Sequence, residues 1–170
     1  MGTPLAKTHG VRTLLCLLAL GGIARADSLW EADIRAGYGV AMSGTQGTMS
    51  ARPSPLTLEA TGAIAVNEEP NVAGFAGMVV ETLDRSAVGT VVGARLTEGP
   101  LRLSGGGTWI FAPYTLWGAV ASAGTCKRMS HSMQLCADAQ LTAYFAGTDL
   151  VKGHSVTQAQ LVIGVAIDAP

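Results

Sequence analysis

Cys126 and Cys136 have the most distinct chemistry in this chain, and their separation limits what they can do. They flank segment 127–135, and two cysteines at the base of a hairpin in an oxidising compartment are expected to form a disulfide. Closing a loop of that length contributes about 2–3 kcal/mol by chain entropy. A redox or metal-binding pair is the competing reading. His131 lies between them, but two sulfurs and one imidazole leave a zinc ion one protein ligand short. A structural disulfide is expected, with no metal and no cofactor.

The other chemical candidates are weaker. His154 precedes Ser155, a pairing that suggests a hydrolase. Adjacent residues on an extended chain point apart, so the two cannot form a nucleophile–base contact. A surface-loop histidine is expected. Ser104-Gly105-Gly106-Gly107-Thr108 is glycine-rich like a phosphate loop. It lacks the following lysine and the opening helix, and glycine here suits a bent strand. No catalytic residue is assigned.

What remains is a set of charges and amides with a regular spacing. In segment 29–40, Glu31, Asp33 and Arg35 alternate with Trp30, Ala32, Ile34, Ala36, Tyr38 and Val40. Period-two alternation describes a strand with one polar and one apolar face. The pattern recurs over 56–66, 88–97, 101–111, 137–145 and 158–167, and more weakly over 72–83 and 114–124, where both faces are small or apolar. Turn residues separate these runs, as in Asn67-Glu68-Glu69-Pro70-Asn71 and Glu98-Gly99-Pro100. Longer connections are expected over 41–55, 125–135 and 147–155. The fold class is all-β: eight strands joined by hairpin connections, an antiparallel up-and-down barrel whose first and last strands pair and leave no edge.

A barrel of this size can face either way. A soluble lipocalin-like or avidin-like barrel is polar outside and holds a small apolar ligand. A small outer-membrane barrel is apolar outside, with a polar interior filled by side chains. The polar face here is lined by small residues such as Gly37, Gly39, Ala63, Gly89, Gly93 and Gly106, which suits a narrow lumen. Its charges have both signs. Glu31, Asp33, Glu59, Glu81 and Asp138 stand against Arg35, Arg95 and Arg102, with Gln140, Gln158 and Gln160 on the same face. Enclosed carboxylates need partners, and the planar guanidinium forms two hydrogen bonds to one carboxylate. Trp30, Tyr38, Trp109, Phe111, Tyr114 and Phe145 lie near strand ends, where interfacial aromatics are expected. The membrane orientation is favoured. A long 125–135 connection on the side of the termini fits it less well, as does the final Ile167-Asp168-Ala169-Pro170, which lacks a terminal aromatic.

The start of the chain gives an address. Lys7, His9 and Arg12 precede an apolar run of about a dozen residues, too short to cross a ~30 Å hydrocarbon core as a helix, and Ala24-Arg25-Ala26 supplies the small residues that a signal peptidase needs. Residues 1–26 are expected to be a cleaved signal peptide and 27–170 a single barrel domain. Cys16 follows Leu15 inside the apolar run, which argues against lipidation. All twelve acidic residues, but only eight of the eleven basic ones, follow residue 26, so the remaining segment carries a formal charge of −4. That balance, with no basic patch, argues against a nucleic-acid partner.

With its signal peptide, its strand number and the alternation of Trp30-Glu31-Ala32-Asp33-Ile34-Arg35-Ala36-Gly37-Tyr38, the chain resembles the small eight-stranded outer-membrane barrels typified by OmpA and OmpX. The resemblance covers 29–167 and implies architecture alone. The expectation is a non-enzymatic, monomeric barrel in the outer membrane of a Gram-negative bacterium. Lipid is its partner, and it serves envelope structure or surface interaction through its loops. The alternatives are a soluble periplasmic or secreted barrel that binds a small apolar ligand, and a lipid-modifying barrel enzyme.

Overall fold

The computed structural model describes residues 30–45, 48–67, 71–83 and 86–169. The signal segment 1–26, with Cys16, lies outside the described residues. Nine strands follow one another: β1 (Trp30–Thr45), β2 (Thr48–Pro53), β3 (Leu56–Asn67), β4 (Asn71–Thr82), β5 (Ala87–Glu98), β6 (Leu101–Ala112), β7 (Leu116–Arg128), β8 (Met133–Gly147) and β9 (Ser155–Ala169). Each pairs antiparallel with its neighbour in the sheet, and β9 pairs with β1 to close the barrel.

β2 and β3 together make one barrel strand. β2 pairs with the far half of β1, from Val40↔Pro53 to Thr45↔Thr48, and β3 pairs with its near half, from Trp30↔Ile64 to Gly37↔Thr57. The register slips at Ser54-Pro55, because proline has no N–H for the ladder. Ser54 bridges the slip. Its backbone N–H donates to the Gly39 carbonyl at 2.9 Å, and its hydroxyl accepts the Gly39 N–H at 2.9 Å. The barrel wall therefore has eight strands.

The stagger can be followed residue by residue. Glu31 pairs with Ala63, then Phe75, Gly93, Gly106, Val120, Thr142 and Gln158, and Gln158 pairs with Ala41. One circuit thus returns to β1 ten residues further along, from Glu31 to Ala41. With eight strands, that shear tilts each strand by roughly 40° and leaves an interior only wide enough for side chains.

Trp30 pairs with Ala169, so the two ends of the barrel wall meet at what we term the proximal mouth, together with the C-terminal ends of β3, β5 and β7. Two connections are shorter than the sequence implies. The 41–55 segment is mostly strand, because β1 continues to Thr45 and turns back as β2. The 125–135 segment is also mostly strand: β7 runs to Arg128 and β8 starts at Met133, leaving a turn over 129–132. There the backbone N–H groups of Met129 and Ser130 both donate to the Met133 carbonyl, at 2.9 and 3.1 Å. Polar composition hid both hairpins, since their backbone pairing needs no apolar face. The 125–135 connection, on the side where Trp30 meets Ala169, is therefore a short turn and not a long loop.

Candidate functional site

The faces of the barrel have opposite chemistry. Ile34, Val92 and Leu161 face outward and are 68%, 61% and 63% exposed, while Asp33, Arg95, Arg102 and Asp138 face inward and are 2%, 2%, 2% and 1% exposed. Among the described strand residues, the outward charges Glu98 and Lys127 stand at the proximal ends of β5 and β7. The wall between is Ala, Gly, Val, Leu, Ile, Met, Thr and aromatic side chains. A soluble domain exposes charge over such a surface.

Seven of the inward charges, Glu31, Asp33, Arg35, Glu59, Arg95, Arg102 and Asp138, form one connected cluster in the proximal half. Asp33 on β1 is its centre. It accepts from Arg102 on β6, from Arg95 Nη2 at 3.2 Å, and lies 3.4 Å from Arg35 Nε. Arg95 also pairs with Glu31, which stands nearer the mouth at 26% side-chain exposure. Arg35 reaches Glu59 at 3.0 Å and Asp138 at 3.4 Å. Each ion would cost several kcal/mol to bury alone, and the shared bridges offset that cost. The guanidinium planes suit this sharing, since each presents several fixed donors.

Gln140 is bonded to this cluster, and further amide contacts follow toward the distal end. Gln140 Nε2 donates to Glu59 at 2.8 Å. Gln160 Nε2 donates to Ser54 Oγ, the Pro55 carbonyl and Thr57 Oγ1 at 3.1, 3.0 and 2.9 Å, which clasps the β2–β3 slip to β9. Glu81 on β4 accepts from Gln158 Nε2 at 3.0 Å and from Tyr144 Oη at 3.2 Å. These eleven charged and amide residues line one lumen.

Beyond them the lumen turns apolar. Val79, Ala87, Ile110, Leu116, Tyr144 and Val156 form a buried plug, with Tyr114 and Leu150 packed against it. A second cluster, Ala63, Phe75, Val91 and Val120, sits beside the charges, and Arg95 lies over the Phe75 ring at 5.4 Å. The void among Thr57, Glu59, Val79, Val91, Val120 and Gln140 is about 10 Å³, the threshold for one water. Among the described residues, side chains fill the lumen at that level.

Five of the expected interfacial aromatics face outward, Trp30, Tyr38, Trp109, Phe111 and Phe145, but Tyr38 lies mid-strand opposite Leu161 instead of near an end, because β1 continues to Thr45. Tyr114 does not face outward. It follows the end of β6 and folds inward onto the plug, where it covers apolar side chains. Trp117, which sequence reasoning missed, faces outward and stacks on its cross-strand partner Trp109 at 4.7 Å between ring centroids. Its strand reads as apolar on both faces, so the period gave no signal. Phe75 was missed too, although it lies an even number of residues before Glu81 and so shares its inward face.

Cys126 and Cys136 are cross-strand partners on β7 and β8, joined by a disulfide whose Cα atoms are 4.1 Å apart. They point into the proximal lumen, where Arg102 Nη1 lies 3.1 Å from Cys136 Sγ and 3.6 Å from Cys126 Sγ. Above them opens a mouth cavity of about 460 Å³, with His131 on its wall. His154 stands at the other end of the barrel, beside Ser43, Met49 and Ser50 at a shallow cleft. Gly105 and Gly107 face outward in β6 and Gly106 inward, so the glycine-rich segment is plain strand. Among the described residues no helix is long and apolar enough to cross a membrane, and no group of metal-binding side chains occurs.

No family model matches the chain, and no curated protein sequence matches it. Its likeness to solved structures is one of shape. A de novo designed transmembrane β-barrel superposes with a TM-score of 0.52 at 13% identity, over 85% of this chain and 98% of that one. Neisserial surface protein A gives 0.49 at 13% identity over 81% and 96%, and Ail, the attachment invasion locus protein of Yersinia pestis, gives 0.46 at 11% over 82% and 98%. The chain has the fold of a small eight-stranded transmembrane β-barrel, closed and up-and-down.

Proposed function

We propose that this protein is a non-enzymatic barrel of the bacterial outer membrane, a monomer with lipid around its wall, whose role is in envelope structure. The observation that carries the reading is the inverted polarity of the barrel. A continuous apolar outer wall encloses buried arginines and carboxylates that bridge one another, the arrangement a barrel needs when lipid is its solvent. The outward aromatics near strand ends, Trp30 at one end and Trp109, Phe111, Trp117 and Phe145 toward the other, fit interfacial girdles. The packed lumen favours a structural role over transport. The distal connection over 113–115 is short, and that over 148–154 runs to seven residues, as expected for a longer connection, so a surface interaction would fall to the latter.

Membrane fractionation of the expressed protein tests this reading. The protein is expected to pellet with the outer membrane, to resist carbonate extraction, and to migrate faster on a detergent gel when unboiled. Recovery in the soluble periplasmic fraction as a folded protein would overturn it.

A further inference from the structure

We propose that the Cys126–Cys136 disulfide is an exchange site for a small thiol entering the proximal mouth, with Arg102 stabilising the sulfur that leaves. The two sulfurs are placed unequally. Cys126 lines the mouth cavity, whereas Cys136 is 1% exposed behind it. The cavity, about 460 Å³ and open at the mouth, is within the size range of small-molecule sites. Arg102, Arg128 and His131 share its wall with Glu31 and Asp168, so an incoming anion meets cationic as well as acidic groups.

Arg102 is the second observation. A neutral disulfide needs no cation beside it, yet Arg102 Nη1 lies 3.1 Å from Cys136 Sγ while Nη2 is held by Asp33. Asp33 and Glu31 compensate part of its charge, and Nη1 is left directed at sulfur. A fixed guanidinium stabilises a thiolate that forms against it.

The step this geometry supports is ordinary thiol–disulfide exchange. A thiolate in the mouth attacks Cys126 Sγ, having given its proton to water there. A new S–S bond forms to Cys126, the Cys126–Cys136 bond breaks, and the electron pair leaves on Cys136 Sγ against Arg102. A second small thiolate, its proton also given to water, attacks the small-thiol sulfur of the mixed disulfide. The electron pair leaves on Cys126 Sγ, and the two cysteine thiolates take the two protons back from water. In sum, two small thiols are oxidised to one disulfide, and the protein disulfide is reduced to two thiols.

The test uses the full chain folded in detergent micelles, with glutathione as probe and gel heat-modifiability as the check on folding. Cys136→Ser leaves the mouth-facing thiol and Cys126→Ser leaves the enclosed one. With oxidised glutathione, the first is expected to form its mixed disulfide at least about tenfold faster, because access governs attack. In the wild type, reduced glutathione should open the disulfide while the barrel still migrates as folded. Arg102→Gln should slow that opening by about tenfold, with Arg102→Lys restoring part of the rate. Equal or reversed rates for the two serine variants, or a wild-type disulfide that opens only as the barrel unfolds, would overturn the proposal. If Arg102→Gln does not fold, the serine variants and the wild type decide the matter alone.

Discussion

Asp33 on β1 and Arg102 on β6 meet across the full width of the barrel, because β1 and β6 stand four strands apart in a closed wall of eight. Glu81 on β4 and Tyr144 on β8 make a second diametric tie at 3.2 Å. The wall's own hydrogen bonds join neighbouring strands only, so these side chains brace the cross-section from within.

Replacing Asp33 with alanine removes the carboxylate shared by Arg35, Arg95 and Arg102. Uncompensated buried cations cost much more than the pair is worth, so D33A is expected to lose about 3–5 kcal/mol of stability, read by urea unfolding in micelles. Combining it with R102A should recover part of that loss, since one orphaned charge goes with it. A loss below about 1 kcal/mol would mean that water, and not the three arginines, solvates Asp33.

The wall makes a complementary prediction. Leu141 lies mid-strand in β8, faces outward and is 50% exposed. In vesicles, Leu141→Arg should cost about 2–4 kcal/mol, the penalty for a cation near the bilayer midplane. On a barrel surrounded by water the same change would stay within about 0.5 kcal/mol.

All three tryptophans of the chain, Trp30, Trp109 and Trp117, are on the outer face. After reconstitution, their emission should shift to the blue and be quenched by bromine-labelled lipids. Emission that stays red-shifted and is quenched only by water-soluble iodide would count against lipid contact.

Two glycines separate close packing from open wall. A Cβ at Gly106 would overlap the Val92 carbonyl oxygen and lie 2.7 Å from Gly93 Cα on the neighbouring strand, whereas one at Gly62 would meet nothing within 4 Å. Gly106→Ala is expected to cost about 1–3 kcal/mol through overpacking, and Gly62→Ala to be neutral or slightly stabilising. Urea midpoints of the two variants in micelles check this. Equal effects would refute the close approach of β5 and β6.

The sequence by itself determined the strand number, the up-and-down order and which residues share a face. Strand number and order follow from the spacing of turn residues, and face sharing from the period of two where it is strict: once Glu31, Asp33 and Arg35 are on one side, Trp30 and Ile34 must be on the other. Phe75 was within reach of the same rule by counting back from Glu81. The tertiary structure alone decided who meets whom across the lumen. The pairing of Asp33 with Arg102 depends on register summed around the whole wall, which carries β1 ten residues out of step with itself, and no local pattern encodes that sum. The Ser54-Pro55 slip, Tyr114 folding inward and Arg102 lying against the disulfide are contacts of another kind: they form between neighbouring elements, where backbone geometry and side-chain volume set the fit.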